Sequence, residues 1–251
     1  MKTRTHRSRR GFTFVELFVV VAILGILTIL VMVAAQRARE SAKRAECADT
    51  LRQLGVAAHV YHDSFKVFPT ENGSKNSLYF QLLPYVDQDM LQVALSTGGG
   101  DTQAQIRLYL CPSRRTEKQA KGKRDFGYAL SPNNGSIFDA PNGVNMLNIT
   151  NHNGSGNTLM LAHLWMDPAN YATGNDPTDV GWFDVNNNKR IIASMAKMDT
   201  DKTGSTAHIG SPHHIYMPTL FADGHVQYMH YDFPQWSQIW SYLNTTEVNL
   251  Q

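Results

Sequence analysis

Cysteine is nearly absent from this sequence. Cys47 and Cys111 are the only two in 251 residues. Two are too few for a disulfide-built scaffold, and they lie too far apart for a close-spaced zinc or redox motif. Catalytic signatures are missing too. There is no Gly-x-Ser-x-Gly elbow, no P-loop, no His-Glu-x-x-His and no dinucleotide-binding glycine fingerprint. These absences lead to the expectation of a non-enzyme without a cofactor. Acidic residues are missing from the first eleven positions, which carry Lys2, Arg4, Arg7, Arg9 and Arg10. The formal net charge of +2 therefore misleads. Without those five residues, 18 basic residues face 21 acidic ones, a net −3. A slightly acidic body argues against a nucleic-acid partner.

What the chain does have is one long apolar run. Residues 17–35 read LFVVVAILGILTILVMVAA, with Thr28 the only polar side chain. Extended back to Phe12 the run has 24 residues, and Glu16 is its only charge. About 20 helical residues cross a bilayer core of about 30 Å. The run is longer than the roughly 7–15 residues of a signal-peptide core, although Val33-Ala34-Ala35 would serve as a small-residue cleavage site leaving Gln36 first. A plain membrane anchor leaves Glu16 unexplained. A charge in a spanning helix costs up to roughly 2.5–3.5 kcal/mol at the centre and usually has a function.

The stretch Arg9-Arg10-Gly11-Phe12-Thr13-Phe14-Val15-Glu16-Leu17 resembles the leader of type IV prepilins and type II secretion pseudopilins. The resemblance implies that a prepilin peptidase cuts between Gly11 and Phe12 and N-methylates Phe12. It also implies that Glu16 pairs with the terminal amine of a neighbouring subunit during assembly. The implied partners are the peptidase, other pilin subunits, membrane lipid, and an inner-membrane assembly platform with its ATPase. The implied location is a single pass in the inner membrane with the head outside the cytoplasm, then a fibre. The alternative is an exported enzyme or ligand-binding protein that merely uses this N-terminus.

Nothing stops the helix at residue 35. Leu51, Leu54, Ala58, Tyr61 and Phe65 form an amphipathic stripe, and Pro69 ends it. A helix from Phe12 to about Phe65 would be roughly 80 Å long. The expected division is a leader at 1–11, a membrane and polymerisation half at 12–35, an amphipathic half at 36–68 and a head at 69–251. In the head, Asn157–His163 and Pro218–Met229 read as strands, with Asp223-Gly224 as a hairpin turn. Ser77–Val86 reads as a short helix or turn. Phe233, Trp236, Ile239, Trp240 and Leu243 read as a closing amphipathic helix. The expected class is α+β: a long helix on an antiparallel sheet.

The blocks Cys47–Pro69, Leu82-Leu83-Pro84-Tyr85, Leu110-Cys111-Pro112-Ser113, Ile149–Leu161 and His213-x9-Asp223-Gly224 resemble a prepilin-like subfamily whose head is a domain of unknown function. This chain has His163 where that subfamily more often has Glu, and His214-Ile215-Tyr216 in place of a Pro-Gly-Gly turn.

Three groups of residues invite chemical readings. Cys47 and Cys111 form either a disulfide, worth roughly 4 kcal/mol by chain entropy, or two buried thiols. Five histidines (His208, His213, His214, His225 and His230) match no metal motif, and His213 is expected to hold the Asp223-Gly224 hairpin by a hydrogen bond. Asp176, Asp179 and Asp184 lie in an oxygen-rich segment that could take calcium but lacks an EF-hand pattern. Solvated loop is the favoured reading there, with no metal. Trp165, Trp182, Trp236 and Trp240 are expected in the core.

Overall fold

The computed structural model describes residues 12–71, 77–115, 119, 121–130, 135–138, 140, 142–172, 179, 181–183, 189–191, 196–204 and 208–250. Gly11 and the rest of the leader lie outside these residues, as do Asp176, Asp184 and the Asn72-Gly73 and Asn187-Asn188 turns. The dominant element is helix α1, Phe14–Phe65. It begins where expected, because Thr13 supplies a cap, and ends four residues before Pro69. Lys66 takes the left-handed conformation (φ 65°) and returns its N–H to the His62 carbonyl at 2.6 Å.

The chain divides into two compact units, Met1–Ala42 and Lys43–Gln251. In the first, every residue from Phe12 to Arg39 is exposed. In the second, Cys47, Leu51, Leu54 and Ala58 are fully buried. From Lys43 onward α1 belongs to the second unit. The stripe is shorter than expected. Phe65 is 58% exposed, and Tyr61 is only partly buried against the core. Gly55 is on the buried face, where an added Cβ would come within 2.9 Å of Leu220 Cδ1. The glycine lets helix and sheet approach this closely.

After α1 come α2 (Leu78–Leu82), a 3-10 turn at Leu83–Val86 and α3 (Asp89–Ser96). A second 3-10 turn, Arg107–Tyr109, leads into Cys111. The sheet is built from β1 (Phe126–Leu130), β2 (Leu159–His163), β3 (Lys189–Ile191), β6 (Tyr216–Phe221) and β7 (Val226–His230), in the order β3-β1-β2-β6-β7. β1, β2, β6 and β7 are antiparallel, as expected; β3 adds to the β1 edge in parallel. A two-stranded parallel pair, β4 (Lys197–Met198) and β5 (Gly210–Ser211), lies apart from it. Helix α4 (Met146–Asn151) is capped by the Asn145 side chain.

The Asp223-Gly224 turn joins β6 to β7. Gly224 (φ 88°) donates its N–H to the Phe221 carbonyl at 3.0 Å, and Asp223 accepts from the His225 N–H. The closing helix α5 is a single turn, Trp236–Ile239, and Leu243 is 40% exposed. The expected short closing helix is present, and Trp236, Ile239 and Trp240 of the stripe are buried. All four tryptophans are buried.

Candidate functional site

At the head of α1, Thr13 and Glu16 satisfy one another. Glu16 Oε2 accepts from both the Thr13 N–H and hydroxyl at 2.8 Å, and the Glu16 N–H donates to Thr13 Oγ1 at 3.3 Å. This is a capping box, two helix-end donors satisfied reciprocally. Its Thr-x-x-Glu signature was readable in the sequence but was overshadowed by the charge of Glu16. From Leu17 to Ala35 the helix is exposed and, Thr28 apart, apolar, and it is long enough and apolar enough to cross a bilayer.

The second site is in the head unit. Cys47 on α1, Cys111 after the Arg107–Tyr109 turn, His163 at the end of β2 and His213 after β5 converge, all fully buried. Each offers one ligand atom, and these atoms lie within 4.8 Å of one another. Cys111 Sγ and His213 Nε2 are 3.8 Å apart. The imidazoles of His163 and His213 stand edge to face at 5.5 Å, and Phe126 closes over His163 at 4.7 Å. Both cysteines are free thiols.

Local structure fixes each donor. The Cys111 N–H donates to Asp125 Oδ2 at 2.8 Å, and the Asp125 N–H donates to the Tyr109 carbonyl at 2.7 Å. His163 is paired with Phe126 across β2 and β1. The Tyr231 hydroxyl donates to the His213 carbonyl at 2.6 Å.

The electrostatics are uneven. Burial pushes the Cys47 thiol far up, so it keeps its proton. At Cys111 burial acts the same way, but the Cys47 thiol and the two imidazoles outweigh it and hold the group well below the usual thiol range. Burial pushes the His163 imidazole down, toward its neutral form. Neither of its ring nitrogens has a hydrogen-bond partner. A buried polar group left unpaired costs about 1–3 kcal/mol.

Beside this cluster, sharing the Cys111 segment, is a buried ion network. Arg114 pairs with Asp199 (Nε to Oδ2 2.8 Å) and with Asp125; Arg115 pairs with Asp125 (2.6 Å) and Asp179 (2.8 Å). The four side chains Arg114, Arg115, Asp125 and Asp179 are wholly inaccessible, as is Asp199. Lys123 lies 3.7 Å from Asp179 and completes a balance of three cations and three anions. Arg114 also donates to the Leu164 and Gly210 carbonyls, and Tyr171 donates to Asp199. Burial pushes the Asp199 carboxyl up, against the pull of Arg114.

Residues 36–234 match the family model described as "Protein of unknown function (DUF1559)". The chain belongs to that family. Residues 6–32 of this DUF1559 protein match the "Prokaryotic N-terminal methylation motif". Leader residues 6–11, Phe12 and Glu16 fall inside that match, which supports a pilin-like, membrane-anchored chain. No curated protein and no solved structure matches it.

Several expectations for the DUF1559 head need correction. Cys47 and Cys111 do meet, in the arrangement of two buried free thiols, one of the two readings left open by the sequence. His213 presents its ring to Cys111, whereas the histidine against the hairpin glycine is His59, whose Nε2 lies 3.5 Å from the Cβ position of Gly224. Of the other four clustered histidines, none joins it: His225 pairs with Asp223 and His230 with Asp232. Asp179, expected in a solvated loop, is instead buried, and both of its oxygens accept from Arg115 Nη1 at 2.8 Å. The sequence reading did not single out His163 as a ligand atom.

Proposed function

We propose that this chain is a structural subunit of a pilus-like fibre, of the type IV pilus or type II secretion pseudopilus kind. In this reading, prepilin peptidase removes residues 1–11 and methylates Phe12. The exposed apolar length of α1 first sits in the inner membrane. It then packs against the same segment of neighbouring subunits as the platform and ATPase extrude the fibre. The exposure of every residue from Phe12 to Arg39 carries the proposal. So long an apolar surface needs a cover, and lipid followed by sister helices supplies it. Catalysis has no part in this reading. Among the described residues, the cluster of Cys47, Cys111, His163 and His213 is buried, which supports a structural reading.

Gly11 is the test position, since a side chain there obstructs the extended backbone that the peptidase must grip. The Gly11→Val chain is expected to stay at precursor length in the inner membrane and to be missing from the sheared fibre fraction. Immunoblots showing normal trimming, or uncut chain in fibres at wild-type yield, would contradict the proposal.

A further inference from the structure

We propose that Cys47, Cys111, His163 and His213 form a structural zinc site that binds the spine helix to three separate segments of the head. Two thiolates and two imidazoles are the donor set of closed, tetrahedral zinc centres. Two sulfurs and two ring nitrogens within 4.8 Å of one another make a shell of that kind. Tetrahedral zinc, with bonds of about 2.0–2.3 Å, holds neighbouring ligand atoms about 3.3–3.8 Å apart. The Cys111–His213 edge already measures 3.8 Å. The remaining edges need a contraction of about 1.0–1.5 Å at most, within reach of small side-chain rotations.

Three further observations point to an ion. His163 is fully buried, and neither nitrogen has a hydrogen-bond partner, which a metal bond at one of them would relieve. The charges balance: zinc(II) with two thiolates and two neutral imidazoles is uncharged, as a dry site requires. The nearby Arg114, Arg115 and Lys123 already balance Asp125, Asp179 and Asp199. Cys111 is also positioned from behind by its N–H bond to Asp125, the kind of outer support that fixes a ligand. The binding step is balanced: zinc enters, any thiol proton left on Cys47 or Cys111 passes to solvent, and four dative bonds form without oxidation or reduction. Bound thiolates would also resist pairing into a disulfide in an oxidising compartment.

The consequence is mechanical. The four ligands come from α1, the segment after Arg107–Tyr109, β2 and the β5–β6 connection. A metal there ties the helix that polymerises to the domain it carries.

The test uses full-length protein, expressed for export and purified from membranes in detergent, then dialysed against a weak chelator. Elemental analysis is expected to find about one zinc per chain, falling below about one tenth in Cys111→Ser and His163→Gln. His163→Cys, which restores a fourth ligand, should recover it. Cobalt(II) exchanged into the wild type should give the intense visible absorption of a tetrahedral thiolate site, and a folded His163→Gln should lose it. Two results would overturn the proposal: wild-type chain without zinc although both thiols are free, or peptide mapping that finds Cys47 bonded to Cys111.

Discussion

Arg114→Ala is expected to destabilise the head by about 3–5 kcal/mol, the largest single-residue effect in the chain. Removing one partner of a buried pair leaves the other charge uncompensated, and here Asp199 and Asp125 both lose a cation. The Leu164 and Gly210 carbonyls lose a donor as well. Arg114→Lys keeps the charge but loses the planar fork, so it should fall between the two. The pH dependence gives an internal check. Burial already raises the Asp199 carboxyl with Arg114 present; without Arg114 it rises further, and a group so raised costs stability as pH climbs through its folded pKa. The gap between wild type and Arg114→Ala should therefore narrow as pH falls toward the carboxylate range. Denaturant unfolding of the detergent-solubilised chain at two pH values measures both effects. A loss under about 1 kcal/mol, or a gap that widens in acid, would show that the network is not balanced as described.

The second large effect is on assembly. Glu16→Ala should reduce fibre yield by at least about tenfold while the leader is still removed. The expectation follows from the lost charge: a pairing that relieves a membrane cost of up to roughly 2.5–3.5 kcal/mol is worth about one to two orders of magnitude. Glu16 also closes the capping box with Thr13, so alanine removes two interactions at once. Glu16→Gln separates them, because glutamine can complete the same box without a charge. If pairing with a terminal amine drives register, Gln should assemble as poorly as Ala. Sheared-fibre yields near wild type for Glu16→Gln would assign the residue to helix capping alone.

The parts of this protein that follow local rules could be read from its sequence. The apolar run, the end of α1 before Pro69 and the Asp223-Gly224 turn each depend on neighbours within a few positions. Their positions came out within a residue or two. Features made by distant residues could not be read. Arg114 and Arg115 sit in a basic stretch that looks solvent-facing, and only the folded chain brings Asp125, Asp179 and Asp199 around them. The same applies to the Cys/His cluster, whose members lie about 50 or more positions apart. Periodicity also failed at the end of α1. Phe65 continues the stripe but lies beyond the core. Trp236 and Trp240 bury in a single helical turn, because their size alone fills the space.

The central claim is that residues 1–11 are removed and α1 is retained as a membrane and assembly helix. The most direct measurement is the mass of the N-terminal peptide of the mature chain, taken from the membrane and fibre fractions. The account predicts a chain beginning at Phe12 and carrying one N-methyl group. A chain beginning at Gln36, or one still carrying its basic leader within the fibre fraction, would contradict it.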